Sequence, residues 1–134
     1  MKIIADTNLL LRFVVSDDPV QYNLALEILE KAESVVVTNV ALCELAWVLR
    51  SRYGASRENI AATIIRLRET RNIVLDNAAA DAGLSVLEAG ADFADGVIDY
   101  EGRWLGGETF VSFDKEAVSA LTASRQKAKL LSRH

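Results

Sequence analysis

Two acidic residues follow short β-branched runs, at the positions where predicted strands end. Asp6 comes after Lys2–Ala5, and Asp114 comes after Thr109–Ser112. Ligands of parallel α/β sheets bind beyond the carboxyl ends of the strands, so both acids are candidates for a functional site. Aspartate is also a preferred helix N-cap, and a helix-like segment follows each of them. For each residue taken alone, both interpretations, ligand and cap, stay open.

A third candidate, Glu44, lies inside a helix-like segment. It shares one helical stripe with Val40, Trp47 and Val48. That spacing predicts a carboxylate that projects from an apolar face. A buried carboxylate is costly unless it is paired, hydrogen-bonded or bound to a metal ion. Glu44 therefore either forms a salt bridge with Arg50 or Arg12, or serves as a metal ligand.

Three further acids lie on one face of another predicted helix, because Asp92, Asp95 and Asp99 are spaced i, i+3 and i+7. Asp92 as the N-cap and Asp95 in the first turn would be stabilised by the helix dipole. Asp99 lies farther along the helix and gains less from the dipole. Three like charges on one face are strained unless an arginine or a metal cation lies opposite. The pattern thus gives an indication of a divalent-ion site.

The donor types favour a hard divalent cation. Carboxylate oxygens select Mg²⁺ or Mn²⁺, which assist phosphoryl chemistry by orienting a phosphodiester and lowering the pKa of bound water. Cys43 and His134 are the only cysteine and histidine, so a zinc site or a Cys-His mechanism has little support. We expect Cys43 to be a small buried filler. Neither a GxxxxGK[ST] loop nor a GxGxxG fingerprint is present, which argues against nucleotide triphosphate hydrolysis and dinucleotide redox chemistry.

Strand-like and helix-like segments alternate along the chain, and this alternation must position the acids. The predicted strands are Lys2–Ala5, Val35–Thr38, Ile73–Leu75, Thr109–Ser112 and Lys129–Ser132. The predicted helix N-caps are Asp18, Thr38 or Asn39, Ser56, Asp76 or Asn77, Asp92 and Asp114. The alternation predicts an α/β fold with a mostly parallel sheet of four or five strands, covered by helices on both faces. We expect Trp47 in the core, whereas Trp104 fits either a core or a dimer surface.

Composition limits the class of protein. The 134 residues, 51% of them hydrophobic and 25% charged, fit a single globular domain over residues 1–134. No apolar run is long enough to span a bilayer, and polar residues interrupt the apolar start, so we expect a cytoplasmic protein without a membrane partner. The formal net charge of −4 argues against nucleic-acid binding through overall charge, but leaves room for a local basic face. Two groups of basic residues either form such a face or are ordinary solvated surface. They are Arg66, Arg68 and Arg71, and Arg125, Lys127, Lys129 and Arg133.

Four sequence blocks together resemble the PIN domain, in particular the VapC-like toxins of toxin–antitoxin pairs. The blocks are IIADTN, NVALCELAWVL, GADFADGVI and FVSFDKEA, and they occur in the family's order from the first predicted strand nearly to the end of the chain. Each block is common by itself. The combination is specific, and it implies a three-layer α/β/α sandwich.

The resemblance assigns roles to particular residues. It implies that Asp6, Glu44, Asp95 and Asp114 are the catalytic acids and metal ligands. Residues matching supporting positions are Thr7 and Asn8 after the first acid, Ser112 before the last acid, and Asp92. The segment Asp99-Tyr100-Glu101 departs from the family pattern, which often has small or apolar residues there. Asp99 is therefore either a supporting residue or an additional ligand.

The resemblance also implies an activity and partners. It predicts a Mg²⁺- or Mn²⁺-dependent endoribonuclease that forms a homodimer and is inhibited by a cognate antitoxin protein. A catalytically inactive PIN-like fold, which keeps its acids for structure and acts only as a binding module, is the first alternative. A receiver-type signalling domain, which also uses an acidic Mg²⁺ pocket, is the second. That alternative fits poorly, because only Asp6 follows the first strand and Lys115 directly abuts Asp114.

Overall fold

Five short strands and seven helices alternate in the computed structural model, which describes residues 1–132. The strands are β1 (Lys2–Ile4), β2 (Ser34–Val36), β3 (Ile73–Val74), β4 (Phe110–Ser112) and β5 (Ala128–Leu130). The helices are α1 (Thr7–Val14), α2 (Pro19–Lys31), α3 (Asn39–Ser51), α4 (Arg57–Glu69), α5 (Asn77–Glu88), α6 (Phe93–Trp104) and α7 (Lys115–Ala123). Within residues 1–132, no helix combines the length and the apolar character needed to cross a membrane.

All the strand pairs are parallel, which confirms the predicted α/β class. Hydrogen bonding divides the strands into a three-stranded sheet of order β1-β2-β3 and a two-stranded sheet of β4 and β5. One continuous ladder of four or five strands was expected, so the division is a difference from the sequence-based expectation. The strand positions agree to within one or two residues; the fifth, predicted at 129–132, ends at Leu130, where it pairs with Ser112 of β4.

A helix N-cap stands two residues beyond each of the first four strands. The caps are Asp6, Thr38, Asp76 and Asp114, and each accepts a hydrogen bond from a backbone N–H of the helix that it precedes. Asp18 and Ser56 cap α2 and α4 in the same way, as predicted. Because the strands within each sheet are parallel, these helix starts gather at the carboxyl ends of the strands.

Two clusters of buried side chains correspond to the two sheets. The larger cluster surrounds the central strand β2, where Val35 is fully buried, and draws on α1, α3, α4, α5 and α6. The smaller cluster lies against β4 and β5 and joins Val86 and Ala91 to Ala120 and Leu121. Helix α5 contributes to both clusters, since Leu87 belongs to the first and Val86 to the second. This helix therefore connects the two sheets.

Trp47 does not belong to the core, contrary to the expectation from sequence. Its side chain is 62% exposed, because α3 buries the opposite face, which is formed by Ala41, Leu42, Leu45, Ala46 and Leu49. Trp104 at the end of α6 is 82% exposed, which excludes the core interpretation for that residue.

Two glycines allow α5 and α6 to pack closely. A Cβ atom on Gly96 would lie 2.2 Å from the carbonyl oxygen of Ala82, and one on Gly83 would lie 2.4 Å from the ring of Phe93. Real Cβ atoms do not approach other atoms so closely, so neither position accepts a side chain without a shift of the backbone or of a packed ring. Gly96 follows Asp95 directly. The close crossing of the two helices therefore determines where that acid lies.

We expect Gly96→Ala to lower the free energy of unfolding by about 2 kcal/mol, because the new methyl group overlaps the backbone of α5. Gly102→Ala on the same helix is the matched control, since no atom lies within 4 Å of its Cβ position. Alanine favours the helix there, so the control should raise the free energy of unfolding by about 0.5–1 kcal/mol. Urea titrations followed by circular dichroism measure both changes, and equal effects of the two substitutions would contradict the close crossing.

Candidate active site

The first acid, Asp6, caps α1 just beyond β1. Its Oδ1 accepts a hydrogen bond from the N–H of Leu9 at 2.8 Å, and its side chain is exposed. The cap interpretation is therefore confirmed for this residue. Because that hydrogen bond uses one oxygen of an exposed carboxylate, the cap does not exclude a ligand role.

Glu44 is held by the residue that follows Asp6. The hydroxyl of Thr7 donates a hydrogen bond to Glu44 Oε1 at 2.7 Å, which ties the start of α1 to the middle of α3. The apolar stripe predicted a buried Glu44, but its side chain is exposed, because it shares the outer face of α3 with Val40 and Trp47.

The alternative of a salt bridge between Glu44 and Arg12 or Arg50 is wrong. Arg12 bonds Asp17 at 3.0 Å, and Arg50 pairs with Asp92. Both cations are thus already paired with other carboxylates, and Glu44 takes its hydrogen bond from Thr7.

The three acids of the α6 face have different partners. Asp92 occupies the N-cap position of α6 but makes no capping hydrogen bond, because its carboxylate pairs with Arg50 of α3. Asp99 is buried and accepts a hydrogen bond from Arg103 at 2.9 Å. Asp95 forms no ion pair within residues 1–132. Asp92 and Asp99 are therefore each paired with an arginine, whereas Asp95 is not.

Asp99 has a structural role in this arrangement. Its partner Arg103 also donates hydrogen bonds to the carbonyl oxygens of Glu108 at 2.7 Å and Lys127 at 2.8 Å, in the segments that precede β4 and β5. The pair thus fixes α6 to the smaller sheet. A buried carboxylate already bound to arginine is poorly suited to take a metal ion, so the structure favours a supporting role for Asp99 over that of an additional ligand.

Asp114 caps α7 beyond β4. Its Oδ1 accepts hydrogen bonds from the N–H groups of Glu116 at 3.0 Å and Ala117 at 3.2 Å. Its own N–H donates to the hydroxyl of Ser112 at 2.9 Å. Ser112 therefore orients the backbone of the last acid.

Electrostatic effects show that acids from different elements share one region. Burial raises the pKa of Asp95 above its ordinary value, and the negative charges of Asp92 and Asp114 raise it further. Burial also raises the pKa of the Cys43 thiol to about 11, with contributions from the charges of Glu101, Asp95 and Glu44. The charges of Asp92 and Asp114 therefore reach Asp95, and those of Glu101, Asp95 and Glu44 reach Cys43. The contact between Thr7 and Glu44 joins the helix capped by Asp6 to this region.

Glu101 also belongs to this region, although no role was predicted for it from the sequence. Its Oε2 accepts a hydrogen bond from the side-chain amide of Asn39 at 2.7 Å, which joins the third turn of α6 to the first turn of α3. The available signal was the spacing of Asp95, Ile98 and Glu101 at i, i+3 and i+6, which places all three residues on one stripe of the helix.

Other residues named from the sequence lie elsewhere or are already paired. Asn8 is exposed and lines a shallow depression between α1 and α2. Arg68 pairs with Asp81 of α5, whereas Arg66 lines a cavity beside the stacked rings of Phe13 and Tyr22. Arg133 and His134 lie outside the described residues.

The chemistry of the acids fits a hard divalent cation. All the candidate donors are oxygens, and the mutual repulsion that raises the pKa of Asp95 is relieved when a cation lies among them. Within residues 1–132, however, no three acidic, histidine or cysteine side chains lie close enough together to hold a metal ion. A shared ion would therefore require the carboxylates to move, and those of Asp6, Glu44 and Asp114 are exposed.

Comparison with known proteins supports one family. The family model described as the PIN domain matches residues 3–99 of the chain. The matched range contains Asp6, Glu44 and Asp95 and ends before Asp114, so the family match by itself does not cover the last acid. No curated protein matches the chain.

The effect of Asp114 on Asp95 can be tested by titration. We expect Asp114→Asn to lower the pKa of Asp95, because a neighbouring negative charge is removed while burial still keeps the pKa above its ordinary value. Asparagine is also a good N-cap, so α7 should remain folded. Asp81→Asn, which removes an acid paired with Arg68, is the control and should leave the pKa of Asp95 unchanged. NMR of the Asp95 carboxyl measures this pKa, and an unchanged value in Asp114→Asn would place the fourth acid outside the region.

Proposed function

The chain belongs to the PIN domain family, and from that premise we propose that it is a metal-dependent endoribonuclease and the toxin of a toxin–antitoxin pair. Members of the family are generally nucleases, so hydrolysis of phosphodiester bonds is the coarse assignment. The observation that supports the proposal is that acids of different elements lie in one region: the charges of Asp92 and Asp114 reach Asp95, and those of Glu44 and Asp95 both reach Cys43. Carboxylates that share a region repel one another without a counter-ion, and a divalent cation is a counter-ion that can also assist phosphodiester hydrolysis.

Four acids would hold the ion: Asp6, Glu44, Asp95 and Asp114. Bound Mg²⁺ or Mn²⁺ supplies an activated water and neutralises the developing charge on the phosphate. Thr7 orients the Glu44 carboxylate through its 2.7 Å hydrogen bond, and Ser112 fixes the backbone of Asp114. With its raised pKa, Asp95 keeps a proton to a higher pH than an ordinary aspartate, so a metal ion held there would compete with that proton.

We assign RNA as the substrate on the resemblance to VapC-like toxins, and basic residues outside the acidic region must then bind its phosphates. Arg66 makes no ion pair among residues 1–132, so its charge is available. Arg125, Lys127 and Lys129 lie in or beside β5 and are also exposed. Single-stranded segments and loops are the RNA forms that side chains can recognise in a sequence-dependent way. The proposed location is the cytoplasm, where such RNA is accessible.

A second candidate is a PIN-like module that binds RNA without cleaving it. The observation in its favour is that no three potential ligands lie within reach of one ion in the part of the chain described here, residues 1–132. The two candidates differ in their products rather than in their binding, so cleavage itself distinguishes them. Membership of the PIN family leaves no support for the receiver-type alternative.

We expect the purified protein to cleave single-stranded RNA with Mg²⁺ or Mn²⁺ and to lose activity in EDTA. Asp6→Asn should lower the rate by on the order of 100-fold, because the substitution removes a charge from the site. Asparagine still caps α1, so the variant tests the charge and not the fold. Asp18→Asn, at the N-cap of α2, is the matched control and should retain the wild-type rate. Full activity in EDTA would exclude the metal-dependent mechanism, and specific binding of RNA without products would favour the binding module.

The partners proposed from the resemblance are a second copy of the chain and an antitoxin protein. Exposed apolar side chains on α3 and α6, including Val40, Trp47, Ile98, Trp104 and Leu105, offer a surface for association. We expect multi-angle light scattering to give twice the mass of one chain, and Trp104→Ser to reduce the dimer fraction. A mass equal to one chain at tens of micromolar protein would contradict the homodimer.

A further inference from the structure

Helices α3 and α6 run antiparallel, and a polar contact joins them near each end. Arg50, in the last turn of α3, pairs with Asp92, the residue before α6. Asn39, the first residue of α3, donates a hydrogen bond to Glu101 in the third turn of α6 at 2.7 Å. The beginning of each helix is therefore fixed to the end of the other.

Two of the proposed metal ligands lie between these contacts. On α3, Glu44 stands between Asn39 and Arg50, and on α6, Asp95 stands between Asp92 and Glu101. At 1.5 Å of rise per residue, the contacts are about 16 Å apart along α3 and about 14 Å apart along α6. Contacts at both ends resist sliding and rotation of one helix against the other. They therefore fix the distance between the backbones that carry Glu44 and Asp95.

Both contacts form against a local preference of the chain. Asp92 stands at an N-cap position but makes no capping hydrogen bond, since its carboxylate is turned toward Arg50. The Oδ1 of Asn39 is buried without a hydrogen-bond partner, while its amide group bonds Glu101. A missing cap and an unsatisfied buried acceptor each reduce stability. Residues that break local rules in this way are typical of functional positions.

We propose that these two contacts are clamps, and that Asn39, Glu101, Arg50 and Asp92 are positioning residues that set the spacing of the Glu44 and Asp95 carboxylates for a shared metal ion. The inference rests on the proposed metal-dependent function. A slip of one helical turn would move a ligand by about 5.4 Å, whereas Mg²⁺ requires oxygen distances of about 2.0–2.1 Å. The amide of Asn39 is short and directional, so its clamp restricts the spacing more tightly than the long side chain of Arg50.

Binding of Mn²⁺ to the full-length protein tests the Asn39–Glu101 clamp, with electron paramagnetic resonance of free Mn²⁺ as the readout. Glu101→Ala and Asn39→Ala should each weaken Mn²⁺ binding about ten-fold, as loss of an outer-shell contact does in other metal sites. Glu101→Gln should bind within about two-fold of wild type, because the glutamine carbonyl oxygen can accept the same hydrogen bond. The double variant Asn39→Ala/Glu101→Ala should be no weaker than either single variant, since both remove the same contact.

Glu30→Ala is the control, because it removes an exposed glutamate from the surface of α2. Thermal unfolding of each variant shows whether weaker binding reflects lost positioning or lost folding. We expect the midpoint of Glu101→Ala to lie only slightly below that of Glu30→Ala, since one hydrogen bond is lost at an exposed position. A midpoint so low that Glu101→Ala is partly unfolded at the temperature of the binding measurement would assign the weaker binding to stability and overturn the proposal.

The remaining outcomes separate the clamps from the proposed nuclease function. Glu101→Gln as weak as Glu101→Ala would mean that the charge of Glu101 matters and not its hydrogen bond, which overturns the clamp. Unchanged Mn²⁺ binding in the single variants of a protein that cleaves RNA overturns the clamp alone. Weakened binding in the variants of a protein that cleaves no RNA supports the clamp and refutes the nuclease. A wild-type protein that binds no Mn²⁺ refutes both.

Discussion

Repulsion between carboxylates is the constraint on which the candidate site depends. The N-cap acids Asp92 and Asp114 lie close enough to Asp95 of α6 that burial and their charges raise its pKa. The protein neutralises part of this charge internally, because Arg50 pairs with Asp92 and Arg103 with Asp99. Asp95, between them on the same helix face, has no such partner within residues 1–132. A cation from solution can relieve the repulsion that remains on Asp95.

The fold determines which acids are left without a positively charged partner. Parallel strands bring the N-caps Asp6 and Asp114 to the carboxyl ends of their sheets, and the helix starts require a polar residue there in any case. Helix α6 is not placed by a strand of its own, since it follows α5 after a short turn. Its position depends on the close crossing at Gly83 and Gly96 and on the Asp99–Arg103 contact with the smaller sheet. Packing, rather than strand order, therefore brings Asp95 to the site.

Local signals in the sequence were sufficient to predict where the strands and helices lie, but not which face of a helix is buried. The strand positions and most N-caps followed from β-branched runs and from Asp, Ser and Thr at helix starts. The buried face of α3 did not, because the helix carries apolar residues on both sides. Its core face has Leu42 and Leu45, whereas the face with Glu44 and Trp47 is exposed. Periodicity alone cannot rank two apolar faces, and only contacts distant in sequence decide which one is buried.

Contacts distant in sequence also decide which partners the acids of α6 have. Asp92 was predicted as a cap from its position, but its carboxylate pairs with an arginine 42 residues earlier in the chain.

On the exposed faces of α3 and α6, acids alternate with large apolar side chains: Glu44 with Trp47, and Glu101 with Trp104. A partner that covers these apolar side chains also removes water from the neighbouring carboxylates. Loss of water disfavours their charged forms, so association without a bound cation, or without a basic group from the partner, would be penalised. Assembly and cation binding at this surface are therefore expected to depend on each other.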